Sequence, residues 1–301
     1  MKRGIFEGAF PPALEPGRCA QQAQGAGFQG IELSLRSLDP LLSEARNELT
    51  EGILSIERGI GLAEPRPGGL YLSSSDAEVS ALRRRIADAG LEVTSVSTML
   101  LFHYPLSSPI PAVRRQAVLI LRRMLEAAAL LGADAILVPP AMVTPDVSYR
   151  EAWQRSEEAL AEMVPSAAEL GVAMAIENVW NRFLLSPLEF CDYIDRLASP
   201  YVGAYFDVAN VLRFGYPDQW IEVLGPRLKR VHFKDYRLDV DDLRGFTHLL
   251  HGDVPWPRVM RALRRIGYDG WVVAEVTPYR YCSEQAVADS AAALQAIFAL
   301  G

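Results

Sequence analysis

Cysteine is scarce in this chain. Cys19, Cys191 and Cys282 are odd in number and far apart, which excludes a disulfide framework and a CxxC metal clamp and suits a reducing cytoplasm. Histidine is nearly as scarce, at four residues, too few for a trinuclear zinc site. Positive charge is in deficit, with 30 Lys and Arg against 37 Asp and Glu, so the net charge of −7 argues against a nucleic-acid surface. The main basic run, Arg83-Arg84-Arg85, lies on an amphipathic helical pattern and reads as a solvated face. No stretch reaches the roughly 20 apolar residues that span a bilayer. The opening MKRGIFEGAFPP carries Glu7 and Pro11 where a secretory leader would be apolar, so a cytoplasmic protein without membrane or nucleic-acid partners is expected. No GxGxxG follows the first strand pattern, and no glycine-rich helix start offers a phosphate cradle.

What is present is hydrophobic and periodic. Half of the 301 residues are hydrophobic, enough for a large core. Apolar runs of β type recur at about 4–10, 29–35, 92–99, 134–139, 172–178, 202–208, 229–234 and 271–276. They lack polar alternation, as strands covered on both faces do. Between them, 77–90, 111–132 and 149–170 place apolar side chains on one helical stripe, and 283–299 supplies a closing helix. Glycines in DAGLEV, LLGADAIL, ELGVAMA and RIGYDGWV stop these helices ahead of the next strand. Strand, helix and glycine repeated eight times is the grammar of an α/β protein built as one (β/α)8 TIM barrel over residues 1–301, with an open doubly wound sheet as the alternative. The segment from 37 to 75, with GLAEPRPGGLYLSSS, is long for a β-to-α connection and reads as a lid or a surface excursion.

Four of the runs, VAMAIEN, VGAYFDV, RVHFKD and WVVAEV, carry Glu177, Asp207, His232 and Glu275 at their tails. A buried carboxylate there is costly unless a cation compensates it, and parallel barrel strands bring their C-terminal ends to one mouth. Taken singly, each residue has a structural reading, an N-cap for the acids and a core position for the histidine. Taken together on consecutive strand ends, they predict one metal centre. Three carboxylates and one imidazole suit a single divalent ion, Mn2+ first, with Mg2+, Co2+ and Zn2+ as alternatives. Glu32, at the end of the second strand, is expected to touch a substrate hydroxyl, cap a helix or join an internal ion pair.

The segments IENVWNRF, YFDVANVLRFG, KRVHFKDYR and HGDVPWPRVMRALRRIGYDGWVVAEV resemble those of the sugar phosphate isomerase/epimerase family of xylose isomerase-like barrels, which includes the D-tagatose and L-ribulose 3-epimerases. The resemblance runs over nearly the whole chain and is strongest from Ala133 to Tyr279. It implies a small-molecule sugar substrate, a divalent metal on Glu177, Asp207, His232 and Glu275, and a second role for Glu177 and Glu275 as the acid/base pair. It further implies proton transfer through a metal-stabilised enediolate, giving epimerisation or aldose–ketose isomerisation. Two departures bear on substrate. Asn210 stands where the ketose epimerases usually have a substrate-touching histidine, and His251 stands where a glutamate is commoner. Arg182, Lys234 and Arg237 are candidates for substrate oxygens or a phosphate, or else for rim salt bridges. Trp180, Phe102 and His103 are candidates for pocket walls against sugar C–H faces. An unphosphorylated sugar is preferred for want of a phosphate cradle. An inosose dehydratase or hydroxypyruvate isomerase would use a similar site, a non-catalytic sugar-binding barrel is the alternative from another class, and a homo-oligomer is allowed.

Overall fold

The computed structural model describes residues 1–45, 48–59 and 64–300. Eight parallel strands form the barrel: β1 (Lys2–Phe6), β2 (Gly30–Arg36), β3 (Glu92–Ser97), β4 (Ala135–Val138), β5 (Ala173–Glu177), β6 (Val202–Asp207), β7 (Leu228–Phe233) and β8 (Trp271–Ala274). Each falls on one of the eight expected runs. The ring closes because β1 pairs with both neighbours, Gly4 lying against Val273 of β8 and against Gly30 of β2. That closure removes the open-sheet alternative. A sheet sealed on itself has no free edge and must bury both faces, which is why the strands are nearly continuous in apolar residues.

The helices follow the stripes. Besides a single turn at Leu100–His103, those described are α1 (Pro16–Gly25), α2 (Glu48–Gly59), α3 (Asp76–Asp88), α4 (Pro111–Leu131), α5 (Tyr149–Leu170), α6 (Pro187–Arg196), α7 (Pro217–Leu224), α8 (Trp256–Arg265) and α9 (Ser283–Phe298). Local chemistry sets their ends. Ser75 with Glu78, and Ser148 with Glu151, form capping boxes that satisfy the first free amides of α3 and α5. Gly132 and Gly171 end α4 and α5 with φ of 80° and 68°, a left-handed conformation that costs a side-chain-bearing residue energy. Among the described residues, no helix is long and apolar enough to cross a membrane.

The segment from 37 to 75 carries α2 and a short strand, Leu70–Tyr71, that extends the sheet beside the end of β2, Leu35 against Leu70 and Arg36 against Tyr71. Residues 46–47 and 60–63 lie outside the described residues, so part of the expected lid does too. The remainder is pinned. The Arg66 guanidinium is buried and donates through Nη1 to the carbonyls of Pro11 and Leu14, and through Nη2 to those of Glu7 and Phe10. Its Nε lies 3.9 Å from Glu7 Oε2, while Arg36 bonds Glu7 Oε1 at 2.8 Å. One side chain thus ties the excursion to the loop after β1. Arg66→Ala is expected to cost about 3–5 kcal/mol, because it removes four hydrogen bonds to backbone carbonyls, leaves that of Phe10 unpaired in a buried place, and weakens the compensation of a buried carboxylate. A denaturant midpoint unchanged from wild type would contradict that role.

Candidate metal centre

Glu177, Asp207 and His232 are the last or near-last residues of β5, β6 and β7, and Glu275 follows β8 directly. One donor atom from each lies within 4.8 Å of every other, with three of the residues buried and Glu275 partly open. The strand register accounts for this convergence: Asp207 sits beside His232, and the Glu275 amide donates to the Phe233 carbonyl at 3.0 Å. Asp207 divides its work between its two oxygens. Oδ1 accepts the amides of Ala209 and Asn210, as a cap would, while the buried Oδ2 has no hydrogen-bond partner and lies 3.2 Å from Lys234 Nζ. His232 Nδ1 is likewise buried without a hydrogen bond, 3.5 Å from Glu177 and 3.3 Å from Glu275. Buried polar atoms are rarely left without a hydrogen bond, and an imidazole nitrogen in that state beside three carboxylates that share one ammonium fits a divalent cation.

The electrostatics agree with crowded negative charge in a dry pocket. Burial pushes the Glu177 carboxyl up to about 7, against the pull of His232 and with the Glu275 charge adding to it. Burial also raises Asp207, although Lys234 opposes it. Glu275 moves the other way: burial works against its charge, but Lys234 and His232 outweigh that and hold it well below the carboxylate range. Burial disfavours the imidazolium of His232, yet Glu32 and Glu275 hold its pKa well above the ordinary value.

Lys234 does not reach outward. Its ammonium pairs with Glu275 Oε2 at 2.8 Å and with Asp207, placing it among the acids. Glu32 is a correction. It is wholly buried, bonded to Ser95, Tyr205 and His232, and cannot touch a substrate, so the internal-partner alternative holds. Arg237 is exposed and takes the rim salt-bridge alternative here, pairing with Asp239 just after the buried Asp235–Tyr236 strand that pairs with Phe246–Thr247. His251 is exposed and borders a hollow with His248, Tyr279 and Asp289. Asn210 is buried and donates from Nδ2 to the Asn178 carbonyl, so one of its two amide hydrogens is committed.

Trp180, Phe102, His103 and Arg182 line a cavity of about 740 Å3, bounded also by Pro105, Ile110, Met142 and Val143. His103 is a buried wall, held by Glu57 at 3.0 Å. None of the four candidate ligands lines this cavity, and its Trp180 wall is linked towards them through a ladder of rings. Lys234 Nζ is 4.7 Å from the Phe246 ring, whose centroid is 4.9 Å from Trp180.

Residues that sequence reasoning passed over hold this arrangement. Asn178 exchanges two hydrogen bonds with the backbone of Asp207, each at 2.8 Å, zipping the ends of β5 and β6. Asp235 accepts from Tyr236 N, Val254 N and Trp256 Nε1 and so gathers the loop after β7. That loop needs Gly252: a Cβ there would lie 2.4 Å from Asp235 Oδ1 and 2.6 Å from the Tyr236 backbone. Tyr205 could have been found, because it precedes Asp207 by two residues and a strand returns to one face with that period. Asn178 and Asp235 carry no such signal.

Residues 20–297 match the model of the family described as xylose isomerase-like TIM barrel. The L-ribulose-5-phosphate 3-epimerase UlaE of Escherichia coli K12 is 24% identical over 283 residues, covering 92% of this chain and 88% of UlaE. Among solved structures, an L-ribulose 3-epimerase superposes with a TM-score of 0.74 at 18% identity, covering 99% of this chain and 95% of that one. The D-psicose 3-epimerase of Clostridium cellulolyticum H10, determined with D-tagatose, gives 0.71 at 19% identity, with 99% and 98% covered. The 3-keto-D-glucoside 4-epimerase YcjR of E. coli gives 0.72 at 20%, with 98% and 99% covered.

Proposed function

Because the chain belongs to the xylose isomerase-like TIM barrel family, we propose that it is a sugar epimerase or isomerase of the isomerase class, dependent on one divalent metal ion, Mn2+ by preference. The observation that carries this reading is the convergence of Glu177, Asp207, His232 and Glu275 within 4.8 Å, with Asp207 Oδ2 met only by the Lys234 ammonium and His232 Nδ1 without a hydrogen bond at the focus. These four would hold the ion. When bound, it would polarise the substrate carbonyl and offset the negative charge that builds as the neighbouring carbon loses its proton. Glu275, which remains 28% exposed, is placed to take that proton. Glu177, on a strand three places round the ring, is the group to return one from the other side of the planar intermediate. Return to the opposite face of the same carbon inverts it, and return to the adjacent carbon isomerises an aldose and a ketose. Lys234 neutralises part of the carboxylate charge and orients Glu275.

The curated relative named for a ketose phosphate supports a ketose or ketose phosphate as substrate. The test is a panel of ketoses, ketose phosphates, 3-keto-glycosides and cyclitols, incubated with protein and Mn2+ in deuterated water and followed by NMR. Solvent deuterium is expected at the carbon beside the carbonyl of at least one ketose, with loss of exchange in EDTA. Dehydration of a cyclitol without ketose exchange would replace this reading by an inosose dehydratase, and binding without any exchange by a sugar-binding barrel.

A further inference from the structure

We infer that Glu32 is a positioning residue of the cation site: from across the barrel interior it fixes the ring of His232 so that Nδ1 presents its lone pair to the ion. The inference rests on the metal-dependent reading above and concerns how this chain holds one ligand. Glu32 Oε1 lies 3.3 Å from His232 Nε2, and Oε2 accepts from Ser95 Oγ at 2.6 Å and from the Tyr205 hydroxyl. The Tyr205 ring also packs on the imidazole, with centroids 4.3 Å apart. Four strands, β2, β3, β6 and β7, therefore contribute one buried polar set beneath the three carboxylates at the mouth. An ionised carboxylate only accepts, so Nε2 must carry the hydrogen, and neutral His232 is left with its lone pair on Nδ1. Nδ1 is the atom that faces Glu177 and Glu275 without a hydrogen bond.

Ser95, Tyr205 and His232 all turn a polar hydrogen-bearing group towards the one Glu32 carboxylate, which is the arrangement of an acceptor. The backbone supports the same reading. Among the described barrel pairings the register shifts at two points, between Ile31 and Glu32 and between Ala204 and Tyr205. A strand irregularity re-aims the next side chain, and both fall immediately before a member of this set. A carboxylate behind a ligating histidine orients the ring and raises its basicity, and losing one commonly weakens metal binding about 10–100-fold.

The test is Mn2+ titration by calorimetry on wild type, Glu32→Gln and Tyr205→Phe, with folding checked by thermal melting. It is joined by 15N spectra of histidine-labelled protein carrying diamagnetic Zn2+. Glu32→Gln is expected to weaken Mn2+ binding about 10–100-fold, shift the His232 ring nitrogens, and change kcat at saturating Mn2+ far less than the Kd. Tyr205→Phe is expected to fall between it and wild type, and it carries the test alone if Glu32→Gln does not fold. Wild-type Kd and ring shifts in the variants would overturn the inference while leaving the metal reading intact. Failure of wild type itself to bind any of the ions would sink both.

Discussion

Glu275→Gln is expected to lower turnover by about 10^2–10^4-fold, the range that a positioned general base contributes. Glutamine keeps the shape and can still face Lys234 and His232, which lie 2.8 Å and 3.3 Å from the present carboxylate. It cannot accept a proton near neutral pH. The substitution also removes one of three anionic donors, so Mn2+ must be raised until activity saturates before rates are compared. The expected pattern is a fall in kcat that added Mn2+ does not restore, together with loss of deuterium exchange at the substrate carbon. Glu177→Gln should give the complementary result. Exchange that survives while product formation fails would identify Glu275 as the group that removes the proton and Glu177 as the one that returns it. Near-normal turnover in Glu275→Gln would end the acid/base assignment.

Metal removal is expected to abolish activity, and the affinity for Mn2+ is expected to strengthen with pH. The sign follows from the protons in the cation-free site. The Glu177 carboxyl is pushed up to about 7 by burial, so it is increasingly protonated below that pH. His232 is held protonated to a higher pH by Glu32 and Glu275, which outweigh its burial. A cation needs Glu177 ionised and His232 neutral, so binding releases protons, and acid competes with it. Affinity should weaken by up to about tenfold for each proton displaced per pH unit as the pH falls from 8 to 6. Calorimetry in two buffers of different ionisation enthalpy reads the proton count directly. At about a hundredfold excess over its Kd, Mn2+ should add about 2.7 kcal/mol to folding stability, a gain that shrinks as the solution is acidified. A pH-independent Kd would mean that these side chains do not surrender protons to the ion.

The fold was largely legible because its signals are local. Eight apolar runs lacking alternation, capping serines such as Ser75 and Ser148, and helix-ending Gly132 and Gly171 each report on a few neighbouring residues. The convergence of Glu177, Asp207, His232 and Glu275 was legible for a related reason. A polar side chain at the tail of a buried strand violates local expectation, and four violations in succession point to one mouth. The excursion was less readable, because its anchor is Arg66, whose acceptors are backbone carbonyls near residue 10, and carbonyls leave no mark in sequence. Arg237, read from its place after His232, and His251, read from a motif, each had a surface alternative, and both side chains are exposed.

The sequence by itself determined the strands, the helices between them and the chemical identity of the four mouth residues, since these follow from hydrophobic period, turn chemistry and the cost of burying charge. Only the tertiary structure decided what each polar side chain faces. Glu32 and His232 are 200 residues apart and meet because the ring closes. Lys234 turns inward because Asp207 and Glu275 converge there. Directions across a barrel depend on register, and register belongs to the closed sheet, not to any one strand.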